Sequence, residues 1–127
     1  MPTSRRFGLL HFVQFPSFLR DWKRIGLGED DLRSLEETLN GSPDQGPVVP
    51  HTGGLRKLRF RSPGSKRGKS GSYRVYYAFF PVFGTVALFA AFGKSECSDL
   101  SHVEARATAN ALKAFETELR RQFELRG

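Results

Sequence analysis

In the run Arg56-Lys57-Leu58-Arg59-Phe60-Arg61, basic residues recur at alternate positions. Alternate residues of an extended strand share a face, so Lys57, Arg59 and Arg61 form one row. Leu58 and Phe60 lie opposite, together with Arg56. Further along stand Lys66, Arg67 and Lys69, then Arg74 and Tyr76, then Lys94 and Glu96. The chemistry open to such a set is phosphate chemistry, because guanidinium and ammonium groups bind and neutralise phosphate oxygens. Residues 45–95 hold nine Lys/Arg and no Asp or Glu. The other 76 residues carry eleven Lys/Arg against thirteen Asp/Glu, so the whole excess of +7 resides in the middle of the chain. Like charges on alternate positions of one strand repel and add nothing to stability. A solvated face is the ordinary explanation of scattered lysines; here no acid in the segment offsets the row, which points to an external polyanion.

Other chemistries find little support. His11, His51 and His102 are far apart and show no metal-ligand spacing. Only His51 borders the basic strand; the other two read as structural. Cys97 is the single cysteine, which excludes an internal disulfide and reads as a small apolar group. Gly68-Lys69-Ser70 looks like the tail of a phosphate-binding loop, but Gly64 lies one residue too close and no helix follows. No metal and no cofactor are expected.

The elements that must position these residues follow from periodicity. Leu9–Phe15 reads as a strand ended by Pro16. Ser17 is placed to cap a short helix carrying Phe18, Leu19, Trp22 and Ile25. Gly28 leads into Glu29, Asp30 and Asp31, acids suited to a helix start, and Leu32, Leu35 and Leu39 continue at helical spacing. Residues 41–54, rich in Gly and Pro, form an irregular loop. Leu55–Arg61, Tyr73–Phe80 and Thr85–Phe92 read as strands joined too tightly for helical crossovers, hence an antiparallel meander. Ser101-His102-Val103-Glu104 has the capping-box form. Val103, Ala107, Ala111, Phe115 and Leu119 then recur every four residues and mark a helix to about Phe123. The order β-α-α-β-β-β-α over a single domain, 1–127, predicts an α+β fold with a mostly antiparallel sheet, two N-terminal helices and a C-terminal one. Lys57, Arg59, Arg61, Arg74 and Tyr76 are expected on its open, concave face, with Tyr76 exposed.

Three segments together resemble a known family. Thr52-Gly53-Gly54-Leu55-Arg56-Lys57-Leu58-Arg59-Phe60 is similar to the G-T-G-G-L-R-K-L-R-F signature of RelE/HigB-like toxins of type II toxin–antitoxin systems. Arg67-Gly68-Lys69-Ser70-Gly71-Ser72-Tyr73-Arg74-Val75-Tyr76-Tyr77 resembles that family's basic loop and next strand, and Phe92-Gly93-Lys94-Ser95-Glu96-Cys97-Ser98-Asp99-Leu100-Ser101 its Y-x-K-x-E-x-x-D-L-[ST] segment. The likeness spans roughly residues 9–123. Two positions depart from it: His51 stands where Gly is usual, and Phe92 where Tyr is usual.

The resemblance implies a toxin that enters the ribosome and cleaves translated mRNA. It also implies a cognate antitoxin, usually with a helix-turn-helix DNA-binding domain. RNA is cut when its 2′-hydroxyl attacks the adjacent phosphate, which requires a base, charge stabilisation and an acid, and no metal. On that reading Lys57, Arg59, Arg67 and Arg74 hold phosphates and stabilise charge. Lys69 or Lys94 serves as acid or base. Tyr76 stacks on a base or assists proton transfer, and Glu96 is a base or a partner that orients Lys94. Arg56, Arg61, Lys66, Arg67 and Lys94 extend the RNA-binding surface. Rival readings are a ParE-like gyrase poison on the same fold, a non-catalytic RNA-binding module and a degenerate toxin. No segment reaches the roughly 18 uncharged apolar residues that span a bilayer. Arg5 and Arg6 precede an apolar stretch, but His11, Gln14 and Pro16 interrupt it, so no signal peptide is read there. The expected location is cytoplasmic, with no membrane contact.

Overall fold

The structure, a computed structural model, describes residues 3–62, 72–96 and 99–126. Lys66, Arg67, Lys69 and Cys97 therefore lie outside the described residues. The chain forms β1 (Thr3–Phe7), β2 (Leu10–Gln14), α1 (Pro16–Arg24), α2 (Glu29–Gly41), β3 (Arg56–Arg61), β4 (Ser72–Phe80), a 3₁₀ turn (Pro81–Phe83), β5 (Thr85–Phe92) and α3 (His102–Arg126). The strands make one sheet in the order β1-β2-β5-β4-β3. All neighbours are antiparallel except β2 and β5, which run parallel. The fold is α+β with a mostly antiparallel sheet, as the periodicity predicts, and the three later strands form the expected meander. No described helix is long and apolar enough to cross a membrane.

One strand was not anticipated. Thr3–Phe7 has no apolar alternation, yet it pairs with β2 through a two-residue turn, Gly8-Leu9. Gly8 has φ +62°, and a Cβ there would collide with the Asn40 side chain at the end of α2. The strand is further held by Arg5, which grips the fully buried Glu36 carboxylate of α2 from Nε (2.8 Å to Oε2, 3.1 Å to Oε1) and Nη2 (2.7 Å to Oε1). Its Nη1 also donates to Glu29 at 2.5 Å.

The sheet has two cores, one on each face. Phe12, Phe18, Trp22, Leu35, Leu39, Leu58, Phe60, Val75, Tyr77 and Leu88 fill the face under α1 and α2. Leu55, Tyr76, Ala78, Ala90 and Leu112 form a smaller one under α3. The far face is thus partly roofed by the last helix rather than open.

Helix α1 also completes the sheet. The β2 ladder stops at Gln14 opposite Leu88, leaving the edge of β5 beyond it unpaired by backbone. Side chains of α1 take over. The Ser17 hydroxyl donates to Phe89 C=O at 2.5 Å, Asp21 accepts from Ala91 N–H at 3.0 Å, and Arg24 donates to Ala91 C=O at 3.3 Å. Ser17 is therefore not the cap expected from sequence. Extended Phe15 occupies that position with no side-chain cap, and Pro16 starts the helix, where its missing N–H costs nothing.

Helix α3 begins with the expected capping box: Ser101 N–H donates to Glu104 at 2.9 Å, and Glu104 N–H donates to Ser101 Oγ at 3.1 Å. Its buried line is Ala105, Thr108 and Leu112, whereas Val103 is 78% exposed. A strict four-residue repeat drifts about 40° per step around an α-helix, so five such positions cannot share one face. Spacing by three and four does, and Phe115 and Leu119 continue that line.

Because Glu36 is 0% exposed and Arg5 is its ion-pair partner, removing Arg5 strands a buried charge. Arg5→Ala should destabilise the protein by about 3 kcal/mol, the low end for a broken buried pair because Arg5 is partly in solvent. Urea unfolding reads this, and Arg5→Ala with Glu36→Leu should recover most of the loss.

Candidate functional site

Strand alternation and cross-strand register together decide where the cations stand. Arg59 and Arg74 are direct partners across β3 and β4, Lys57 is opposite Tyr76, and Arg61 is opposite Ser72. Residues 55, 57, 59 and 61 share the face of Leu55, the α3 side. On β5, Arg74 is opposite Phe92, and Lys94 follows in the turn after the strand. Lys57, Arg59, Arg61 and Arg74 thus share one face at one end of the sheet, and the turn with Lys94 leaves from the same end. Arg59, Arg61 and Lys94 are exposed, Lys57 and Arg74 half-buried. The ion pairs among the described residues use Arg5, Arg24, Arg120 and Arg121, and none uses a cation of this row. The side chains of the row form no hydrogen bond among the described residues either.

Arg56 is a different case. It points to the opposite face, where its Nη1 donates to the carbonyls of Asp44 at 2.9 Å and Gly46 at 2.7 Å. Beside it, Gly46 N–H donates to the Tyr77 hydroxyl at 3.0 Å, a phenol whose pKa burial pushes up. Arg56 and Tyr77 therefore clamp the 42–55 loop to the sheet, and Arg56 is not brought to the row.

Tyr76 is also not where exposure was expected: it is 2% exposed. Its ring meets Phe92 edge-to-face at 5.6 Å, in the core that α3 roofs. The two rings form an apolar floor beside the basic row rather than a stacking platform on it.

The Thr52-Gly53-Gly54 motif has a structural explanation. Thr52 is buried; its hydroxyl donates to Val49 C=O at 2.6 Å and accepts from Leu55 N–H at 3.1 Å. Gly53, at φ +73°, would bring a Cβ within 3.3 Å of Ala109 Cα in α3. The motif staples the loop, starts β3 and seats α3 against it. His51 has φ +64°, a left-handed conformation, at the position where the resembling motif has glycine.

For Glu96 the sequence allows either a base or an orienter of Lys94. Glu96 accepts a short hydrogen bond from Arg24 and another from Gly93 N–H at 2.8 Å. The Arg24 side chain above all, and then the Gly93 amide, hold its carboxyl below the ordinary value of 4.5. A carboxylate so engaged is a poor base. It instead ties the turn that carries Lys94 to α1.

What the arrangement can do is bind and neutralise phosphate along an open surface. Two cavities, of about 480 Å³ near the α1–α2 turn and about 500 Å³ beside α3, lie away from it. No group of three or more His, Cys, Asp or Glu that could hold a metal occurs among the described residues. Tyr76 burial, Arg56 clamping and the Glu96–Arg24 pair were not readable from sequence, because each depends on which distant element covers the residue. No protein-family model matches the chain.

Two outcomes test these assignments. Glu96 has a depressed carboxyl, so its contribution to stability is present above pH 4.5 and is lost as pH falls through its folded value. Urea midpoints of Glu96→Gln should therefore change less between pH 5 and pH 3 than those of the parent. His51→Gly should stabilise by about 1 kcal/mol by removing left-handed strain; an unchanged or lowered melting temperature would contradict the strain.

Proposed function

We propose that the chain is a RelE/HigB-like toxin of a type II toxin–antitoxin system, a metal-independent endoribonuclease that cuts mRNA on the ribosome. The observation that supports this most is the row Lys57, Arg59 and Arg74, like charges facing one way with no internal counter-ion among the described residues. Arg59 and Arg74 stand directly opposite each other, an arrangement that weakens a sheet and is explained by an anion outside it. The three motif segments supply the identity of that anion.

In this reading the RNA 2′-oxygen attacks the neighbouring phosphorus. A 2′-oxygen–phosphorus bond forms, the bond to the 5′-oxygen breaks, and a cyclic phosphate and a 5′-hydroxyl result. Arg59 and Arg74 neutralise the charge that builds on the phosphorane oxygens, and Lys57 and Arg61 hold the backbone. One of Lys94 and Lys69 takes the proton of the 2′-hydroxyl as it attacks, and the other gives a proton to the leaving 5′-oxygen. Tyr76 and Phe92 hold the floor of the site. The ribosome aligns the strand, which an open surface of this kind does not do by itself. The protein works in the cytoplasm, where an acidic surface of a cognate antitoxin, one with a helix-turn-helix domain, would compete for the same cations.

A second reading is a non-catalytic RNA-binding module. Phe92 favours it, since no hydroxyl stands at that position beside the row, and the neighbouring Tyr76 is turned into the core. Mapping of cleavage ends on translated mRNA after induction separates the two. Lys57→Ala with Arg74→Ala should lower ribosome-dependent cleavage about a hundredfold and relieve growth arrest. Undiminished cleavage would remove the row from the mechanism; RNA bound but never cut would leave the binding module; DNA damage with intact mRNA would favour a gyrase poison.

A further inference from the structure

At the end of the sheet away from the basic row, the α3 face is not filled. The cavity of about 500 Å³ opens there between β1, β2, the start of β5 and the C-terminal half of α3. That volume is typical of a small-ligand site. Phe83, Phe115 and Phe123 contribute aromatic walls, and Arg6, His11 and Arg126 line the same space. Arg6 and His11 are direct cross-strand partners, so they share a face by register. Burial first, and then the charges of Arg6 and Arg126, keep the His11 pKa below its usual 6.5, so both guanidiniums act at one point.

These cations have little to do within the chain. Among the described residues, Arg6 reaches only the Leu9 carbonyl, at 3.5 Å, and Arg126 has no ion pair or side-chain hydrogen bond. The one carboxylate among the described residues lining the cavity, Glu118, is occupied by Arg121 Nε at 3.1 Å and Gln122 at 3.1 Å. The Phe123 ring meets Phe83 edge-to-face at 5.7 Å, yet the residue stays 58% exposed. An aromatic-walled cavity with two uncompensated arginines at its border selects for a ligand with matching halves.

We propose that this cavity binds a small organic anion, a carboxylate or sulfonate carried on a flat aromatic body. The charged end lies between Arg6 and Arg126, and the body lies against Phe83, Phe115 and Phe123. The site is separate from the basic row: Thr85 and Phe92 mark the two ends of β5, about 23 Å apart along the strand.

The test uses the full chain and two fluorescent probes with the same rings. 8-Anilinonaphthalene-1-sulfonate carries the anion, and N-phenyl-1-naphthylamine lacks it. The sulfonate should bind one per chain, roughly tenfold or more tighter than the neutral amine, and shift the His11 ring protons in NMR spectra. Arg6→Gln with Arg126→Gln should remove that advantage and leave the amine bound as before. Lys57→Ala with Arg74→Ala should leave both probes unaffected. Equal affinity for the two probes overturns the proposal, as does sulfonate binding that survives the Arg6/Arg126 pair or is lost with the Lys57/Arg74 pair. Loss of both probes in the Arg6/Arg126 variant with unchanged circular dichroism overturns it as well, since the arginines would then be holding the walls apart.

Discussion

Strand β5 is the constraint on which the other elements depend. It lies between β2 and β4, with α1 and α2 on one face and α3 on the other. Val86, Ala87, Leu88, Ala90 and Ala91 are all buried. Three of these five are alanines, so backbones and helices approach closely. The strand also contains an irregularity. Tyr77 pairs with Leu88 but Tyr76 pairs with Ala90, which leaves Phe89 as an extra residue. Phe89 and Ala90 both pack in the core under α3, and the alternation resumes one step later. A one-residue slip exchanges the faces of a strand. Without the bulge, Phe92 would leave the basic row and Ala91 would leave the main core.

The protein uses its arginines in two distinct ways. Arg5, Arg24 and Arg56 are occupied by carboxylates or carbonyls and tie elements together across long sequence separations. Lys57, Arg59, Arg61 and Arg74 bond to nothing described and repel one another. Arg56 and Lys57 are adjacent in sequence yet belong to opposite groups, because a strand sends neighbours to opposite faces. On β3, the guanidinium that fastens a loop and the cations that have no partner among the described residues thus stand on opposite faces of the same strand.

That division explains how much was legible in advance. The row of Lys57, Arg59 and Arg61 followed from alternation alone, and Arg74 joined it through an antiparallel pairing that short connections made unavoidable. The capping box at Ser101 was legible because both partners lie within four residues. β1 was not, since its residues are polar and its stability comes from Glu36, thirty-one positions away. Tyr76 was misplaced for a related reason: alternation gives a face, but not whether a distant helix covers that face. On α3 a fixed step of four holds only over short runs, because helical geometry turns it away from the core. Local chemistry was visible, whereas coverage by remote elements was not.

The parallel pairing of β2 with β5 has a consequence in time. His11 and Thr85 are partners across seventy-four positions, whereas β4 and β5 meet through a single turn. Closing the longer connection costs chain entropy before any contact repays it, so non-local pairings of this kind form slowly. The β1-β2 hairpin and the β3-β4-β5 meander, with its row of cations, are the pieces able to assemble before that pairing. The β1-β2 hairpin and α1 must then add to an already formed β5, and only that step seals its second edge. During synthesis no sheet wider than the first hairpin exists until residue 92 is made, so the central strand is also the last strand to arrive.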